Sequence, residues 1–472
     1  MRHKVQGTRN EKPETSNEVR VTMKEEGNME VTKALSEYIV SLKFSDLPGD
    51  VVEGAKTCFL DWLGVTLSGS KEPLTDILVQ TAEAQGGKPL ATIVGRNRKT
   101  SLLQAALING SASHALDFDD VHLGMMGHPS APVFPAILAL GEWKKSSGQD
   151  FITAFIAGFE AECRISSIVY PEHYLCGWHA TGTLGHFGAA AACANLLGLT
   201  PAQTVYALGI AGTQASGIKQ VFGTMCKPFH AGKAAMNGLL AALLAEKGFT
   251  SSTDMLEGGK GFSKVFSTRM DPPKALERLG GDYAIRAVIF KRHASCFETH
   301  PAIDAVLALK EEQGLTADQV DSIHLEAYTV ACDIAGIPTP KTGLEGKFSL
   351  AFCVALALGD GDTGEPSFNN EKVRDPRLVA LQDKVKITPD PGLSPSRAKI
   401  KIFTKDGRIL EKFMETLDLS KDREKMKKDL TGKFRDLSTP ILGEEKTKKL
   451  ISKIRRLDRV SNLGTLTRLS KG

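Results

Sequence analysis

The stretches Gly188-Ala-Ala-Ala-Ala-Cys-Ala194 and Ala234-Ala-Met-Asn-Gly-Leu-Leu-Ala-Ala242 are built almost entirely from small and apolar residues. They lie within two segments of helical periodicity, Thr183–Leu196 and Lys233–Glu246. Small side chains let helix axes approach closely, because the interaxial distance depends on the side chains at the contact. The two stretches therefore predict a mainly α fold with a tightly packed helical core.

Helical periodicity extends on both sides of this core, from residue 31 to about residue 264. The clearest further segments are Lys33–Lys43, Val51–Leu67, Pro132–Lys144 and Phe151–Ile165. We expect residues 31–280 to form one large all-helical domain. Residues 1–30 are rich in charged and polar side chains and contain few large apolar ones, which indicates a disordered N-terminal tail.

The character of the sequence changes near residue 281, where apolar and polar residues alternate as they do in strands. The predicted strands are Ala287–Lys291, Asp321–Tyr328, Lys384–Thr388, Ala398–Phe403 and Arg408–Glu415. Helical patterns accompany them at Pro301–Glu312 and Lys347–Leu358. Residues 281–420 therefore predict a smaller α+β domain. The charged helical pattern of residues 421–472 predicts helices that return to the first domain.

The composition excludes several classes of function. The 472 residues carry a formal net charge of +4, which is too weakly cationic to indicate nucleic-acid binding. The 8 cysteines form no CxxC pair and no Cys/His box, which argues against a zinc site or an iron–sulfur cluster. No apolar run resembles a signal peptide or reaches the length of a membrane span, so we expect a cytoplasmic protein without membrane contact.

The histidines and their polar neighbours are concentrated in four segments within residues 114–301. The first segment, residues 114–130, contains the carboxylates Asp117, Asp119 and Asp120 and then His128. This spacing predicts acid and base groups on a turn between helices. The alternative is a helix N-cap with solvated carboxylates.

The second and third segments each lie at the start of an apolar helix. Residues 177–188 place His179 among glycines, and a buried structural histidine is the alternative. Residues 227–233 place Lys227 before a very apolar helix, where a lysine opposes the helix dipole unless an anion lies there. A bound carboxylate would resolve that conflict, and a surface lysine is the alternative.

The fourth segment, residues 291–301, lies at the predicted junction of the two domains and combines Lys291, Arg292, Cys296 and His300. Adjacent cations suit a substrate with several carboxylates, and an exposed basic turn is the alternative. Taken with the other segments, Lys227, Lys291 and Arg292 are candidates to hold carboxylates. Histidines suit proton transfer, because their pKa lies near the working pH.

The order of these segments resembles a known family. His-Ala-Leu-Asp-Phe-Asp-Asp at 114–120, His-Pro-Ser at 128–130 and Lys-Pro-Phe-His-Ala-Gly at 227–232 are similar to the MmgE/PrpD family. That family contains 2-methylcitrate dehydratase, cis-aconitate decarboxylase and iminodisuccinate epimerase. The resemblance implies a large helical domain, a smaller α+β lid and an active site in the cleft between them. It also implies a homodimer that uses neither a metal nor an organic cofactor.

The resemblance also assigns site residues. The catalytic positions that it implies are Asp117, His128, His179, Lys227 and Lys291. The further substrate-binding candidates are His122, Arg292, Cys296, His300 and Tyr328. Two positions depart from the family's usual pattern. Val121-His122 stands where Thr and an aromatic residue are usual, and Cys296 stands where the decarboxylase has histidine.

Three reactions at a carbon next to a carboxylate fit these residues: elimination of water, loss of carbon dioxide, and epimerisation. We expect a lyase acting on a small polycarboxylate, with dehydration of a 2-methylcitrate-like hydroxy acid preferred over the other two. A metalloenzyme that uses Asp119, Asp120, His122 and His128 is a different possibility, although their spacing matches no metal motif. A helical protein that only binds carboxylates is another.

Overall fold

The computed structural model describes residues 30–420 and 422–472, so the predicted N-terminal tail falls outside the described residues except for Glu30. The fold is mainly α, as the sequence predicts, with one small mixed sheet. The first ten helices are α1 Val31–Ser41, α2 Gly49–Gly69, α3 Pro73–Gln85, α4 Leu102–His114, α5 Ser130–Lys144, α6 Gly148–Val169, α7 Glu172–Leu175, α8 Ala180–Leu197, α9 Pro201–Gly212 and α10 Cys226–Glu246.

The remaining helices are mostly short, apart from one of 20 residues near the C-terminus. They are α11 Phe262–Phe266, α12 His300–Gln313, α13 Thr329–Ile334, α14 Gly343–Gly346, α15 Leu350–Gly359, α16 Pro376–Gln382, α17 Arg423–Leu442, α18 Glu444–Arg455 and α19 Gly464–Thr467. Helix α17 packs along α2. No helix in the two described ranges is both long and apolar enough to cross a membrane.

Helices α8 and α10 pack against each other, and α10 also packs against α4, at the centre of the helical region. Small residues allow the axes of these helices to approach closely. A Cβ at Gly238 would lie 2.5 Å from Cβ of Ala189, and one at Gly232 would lie 2.1 Å from the carbonyl oxygen of Leu107. The close packing expected from the Ala/Gly stretches is therefore present, and larger residues at these glycines would separate the helices.

The sheet has the order β4-β3-β5-β6, with β3 Val320–Tyr328, β4 Val385–Asp390, β5 Arg397–Thr404 and β6 Ile409–Glu415. Strand β3 pairs parallel with β4 and antiparallel with β5, while β5 and β6 form an antiparallel hairpin. The turn of this hairpin contains Gly407 at φ +86°, the left-handed conformation that its Asp-Gly signal predicts.

Two predictions about local structure were wrong. Ala287–Lys291 is not a strand, because residues 284–287 form a 3₁₀ turn and Ile289 makes only a single bridge to Val121. Residues 31–280 are not entirely helical either, since β1 Ala91–Ile93 and β2 Arg98–Thr100 form a small hairpin. These strands have three residues each, too few to show a clear alternation.

Candidate active site

A cavity of about 250 Å³ is lined by residues from the four histidine-containing segments that the sequence analysis identified. Its wall comes from residues 117–128, 170–179, 222–227 and 291–298, with Tyr328, Phe348 and Pro395 completing it. Seven of the predicted site residues lie in this wall: Asp117, His128, His179, Lys227, Lys291, Cys296 and Tyr328. The structure therefore brings together residues from all four segments.

Asp117 is the centre of the charged groups in the cavity. It follows the end of α4 and has a left-handed backbone at φ +51°, which is uncommon for a residue other than glycine. Its Oδ1 accepts hydrogen bonds from Nζ of Lys227 at 2.7 Å and from Nζ of Lys291 at 2.8 Å. Burial alone raises the pKa of Asp117, but the two ammonium groups outweigh burial and hold the pKa well below its usual range.

The two lysines still have donors for a ligand. Nζ of Lys291 also donates to the backbone oxygen of Asp117 at 2.8 Å, whereas Nζ of Lys227 has Asp117 as its one hydrogen-bond partner among the described residues. The Lys227 ammonium lies 5.3 Å and 5.0 Å from the ring centroids of Phe222 and Phe348. Because an ammonium group has three N–H donors, the pair can also bind a substrate carboxylate. Two cations face one carboxylate here, which favours an anionic ligand.

A second carboxylate, Asp119, is bonded to a histidine. Nδ1 of His114 lies 2.9 Å from Asp119 Oδ2. Nδ1 of His128 lies 3.3 Å from the same oxygen but is not aligned for a hydrogen bond. Burial raises the pKa of Asp119, yet the two histidines hold it well below its usual range, while burial lowers the pKa of His114 to about 4. Asp119 therefore orients His114 and lies beside the cavity histidine His128.

His179 precedes α8, and its Nδ1 lies 3.0 Å from Nδ1 of His230 on α10. Its ring also stacks on that of His114, with centroids 5.7 Å apart. Burial and the neighbouring Lys227 lower the pKa of both His179 and His230, that of His230 to about 4. Both rings are therefore neutral near pH 7.

Several buried polar atoms beside the cavity have no protein partner among the described residues: Oδ2 of Asp117, Nε2 of His114 and Nδ1 of His128. One donor atom from each of these residues and one from Asp119 lie within 4.8 Å of one another, close enough to hold a metal ion. The donor set fits a dication poorly, because Asp117 Oδ1 already accepts from two ammonium groups that would repel it. A ligand or water with both donors and acceptors fits these atoms better.

Three of the predicted binding residues lie outside the cavity wall. Arg292 is bonded to Asp304, and His300 packs its ring against His293 with centroids 4.9 Å apart. His122 accepts a hydrogen bond from the backbone N–H of Met125 at 3.1 Å. Their side chains contact the protein near the site and do not line the cavity.

The sequence interpretation missed Glu298 and Lys433. Glu298 lies in the cavity wall, and its Oε2 accepts from the thiol of Cys296 at 2.9 Å. Its position two residues after Cys296 was the one available signal. Lys433 on α17 lies outside all four segments, and nothing in its local sequence distinguishes it from the other lysines of that helix.

Lys433 links the two backbone segments that carry Asp117 and Lys291. Its Nζ donates to the carbonyl of Phe118 at 2.6 Å and to that of Lys291 at 3.2 Å. It also lies 2.7 Å from Oδ1 of Asp61 on α2. Helix α17 therefore supports both the turn that carries Asp117 and the segment that carries Lys291.

Comparisons with known proteins cover most of the chain. A model of the MmgE/PrpD N-terminal domain matches residues 33–274, and one of the MmgE/PrpD C-terminal domain matches residues 293–459. The cis-aconitate decarboxylase of Mus musculus is 29% identical over 465 residues, covering 94% of this chain and 93% of that protein.

Two further relatives extend the comparison. The cis-aconitate decarboxylase of Aspergillus terreus is 28% identical over 468 residues, covering 93% of this chain and 95% of that protein. The mitochondrial 2-methylcitrate dehydratase of Yarrowia lipolytica is 25% identical over 422 residues, covering 81% of this chain and 78% of that protein.

Proposed function

This chain belongs to the MmgE/PrpD family and is a lyase, and we propose that it removes carbon dioxide from cis-aconitate or a closely related unsaturated polycarboxylate. One observation carries the proposal: the decarboxylases align over more than nine tenths of both chains, whereas the dehydratase of Yarrowia lipolytica aligns over about four fifths. Decarboxylation therefore replaces dehydration as the preferred reaction.

We propose the same arrangement of domains that the resemblance implies. Residues 31–280 together with residues 421–472 form the helical body, and residues 281–420 form a lid over it. The cavity wall supports this arrangement, because Asp117 and Lys227 come from the first range whereas Lys291 and Tyr328 come from the second. The homodimer and the cytoplasmic location stay predictions.

Lys227 and Lys291 bind a carboxylate that the substrate keeps through the reaction. Breaking the bond to the departing carboxylate leaves its electron pair on carbon, and a neighbouring double bond carries that charge into the retained carboxylate. Fixed ammonium groups stabilise such charge strongly where water is excluded. Asp117 keeps the two ammonium groups together at the point where the charge develops.

The reaction finishes with the addition of a proton at carbon. His128 and His179 are the two histidines in the cavity wall, and both suit this transfer. Overall, the reaction releases one molecule of carbon dioxide and takes up one proton. Elimination of water from a hydroxy acid would use the same lysines with a different leaving group, and the match to the dehydratase keeps it as the second candidate.

The test is to incubate the purified chain with cis-aconitate, 2-methylcitrate, citrate and iminodisuccinate, each with and without a chelator. Carbon dioxide is measured, and products are identified by mass spectrometry. Release of carbon dioxide from cis-aconitate, unchanged by chelation, would support the proposal. Loss of water without carbon dioxide would replace it with dehydration. Activity that disappears on chelation and returns with a divalent metal would favour the metalloenzyme instead.

A further inference from the structure

His230 lies behind the cavity wall and reaches it through His179. The two Nδ1 atoms are 3.0 Å apart. Two glycines allow this approach: an ideal Cβ at Gly217 would lie 3.2 Å from His230 Nδ1, and one at Gly182 would lie 3.1 Å from His230 Cβ. His179 is 2% exposed, whereas His230 is partly exposed. The pair therefore links a buried cavity histidine to the protein surface.

The contact also couples the tautomers of the two rings. One Nδ1 donates and the other accepts, since both rings are neutral. When His230 donates, the hydrogen of the neutral His179 ring is on Nε2, at the edge opposite His230. Neither Nε2 has a hydrogen-bond partner among the residues that the structure describes. His179 can then donate a proton into the cavity.

The Nδ1 of His128, the other histidine of the cavity wall, meets a buried carboxylate rather than a partly exposed histidine. Its Nδ1 faces Asp119, which is 0% exposed and whose carboxylate is ionised because His114 and His128 outweigh burial and lower its pKa. An ionised, fully buried carboxylate has no proton to pass on.

We propose that His230 relays protons from solvent to His179, which protonates the substrate carbon. The proposal rests on the proposed decarboxylation, because loss of carbon dioxide consumes one proton in each turnover. The hydrogen on Nε2 of His179 moves to carbon as the C–H bond forms. Nδ1 of His179 takes the hydrogen from Nδ1 of His230, and Nε2 of His230 takes a proton from water. Exchange with water restores both starting tautomers after the product leaves.

Two variants test the relay on the complete protein. His230→Gln keeps a polar side chain but cannot pass on a proton, and His230→Ala leaves space for added imidazole. We expect kcat to fall about 100-fold in both variants, the scale for loss of acid–base function, with KM little changed. Imidazole should restore kcat in His230→Ala but not in His230→Gln. His324→Gln is the matched control, because His324 is exposed on β3.

A kcat within about twofold of wild type in either variant would overturn the relay. A rise in KM without a fall in kcat, or no imidazole rescue of His230→Ala when its circular dichroism matches wild type, would also overturn it. Failure of the proposed function has a different signature. If the wild type eliminates water from 2-methylcitrate instead, decarboxylation is wrong, and the relay is overturned with it because elimination takes up no proton from solvent. If the wild type releases carbon dioxide and the variants keep its kcat, the relay alone is overturned.

Discussion

The candidate site buries its charged groups, whereas the charged pairs on the sheet lie at the surface. Asp117 is 2% exposed and Lys291 is 1% exposed, yet they form an ion pair at 2.8 Å. On the sheet, Lys399 and Glu326 pair at 3.1 Å with their side chains 48% and 49% exposed. Burying an ion costs several kcal/mol, whereas an exposed pair contributes about 0–1 kcal/mol. The difference indicates that the buried cluster serves chemistry and that the sheet pairs contribute little.

The turn that follows α4 contains a second contrast, between two buried carboxylates with different pKa values. Asp117 and Asp120 are both buried, but burial raises the pKa of Asp120 to about 8, with the hydroxyl of Ser130 as its hydrogen-bond donor. Two ammonium groups hold Asp117 ionised, whereas Asp120 has no cation bonded to it among the described residues. Neighbouring cations rather than depth of burial therefore decide which carboxylate is charged.

Replacing the central carboxylate should have the largest effect. Asp117→Asn should lower kcat by about 10²–10⁴-fold, because the two lysines lose the anion that holds them together. Breaking a buried pair also costs about 3–5 kcal/mol of stability, so thermal unfolding has to be measured beside turnover. Asp390→Asn, at an exposed sheet pair, is the control. Near wild-type turnover in folded Asp117→Asn would remove Asp117 from the mechanism.

Lys227→Met should weaken the binding of a di- or tricarboxylate by about 1.5–3 kcal/mol, because a charge-assisted hydrogen bond is lost. An analogue with one carboxylate replaced by an amide should lose less. Dissociation constants from calorimetry check this prediction. Equal losses for the charged and the amide analogues would make Lys227 a structural residue.

Asp120→Asn should change how stability depends on pH. Because the folded pKa of Asp120 is about 8 and the unfolded pKa is near 4, the folded protein binds more protons between these values, and stability falls as pH rises through this window. Asn does not titrate, so Tm of the variant should decline less between pH 5.5 and pH 8.5, measured by calorimetry about every half unit. Parallel Tm profiles for wild type and variant would contradict a protonated Asp120.

Lys399→Met should have the smallest effect. Removing this exposed partner of Glu326 and Asp390 should change the free energy of unfolding by less than about 0.5 kcal/mol and leave kcat unchanged. Denaturant unfolding and the carbon dioxide assay measure both. A decrease in the free energy of unfolding above about 2 kcal/mol would show that a surface pair stabilises the protein as much as a buried one does.

Local patterns predicted much of the fold. The helix predicted at Phe151–Ile165 lies within α6, and the strand predicted at Asp321–Tyr328 matches β3 to one residue. Both have long, regular periodicity. The prediction failed for Ala287–Lys291, because four apolar residues followed by a lysine do not distinguish a strand from an irregular segment packed against the core.

The candidate site was likewise predicted only in part. The family resemblance implied its central aspartate, lysines and histidines, and the residue types of the segments agreed with it, as with Lys227 before an apolar helix. Arg292 and His300 belong to the same segment as Lys291, but their side chains contact the protein outside the cavity wall. Spacing along an irregular segment does not determine which way a side chain points.

The sequence by itself determined the helical class and the family, because Ala/Gly spacing and short motifs are local properties of the chain. Only the tertiary structure decided which charges meet. The left-handed turn at Asp117 presents one oxygen to lysines 110 and 174 residues away, and Lys433 reaches the carbonyl of Phe118 across 315 residues. Such contacts depend on how helices that are far apart in sequence pack together, and a pattern that repeats every few residues does not predict that packing.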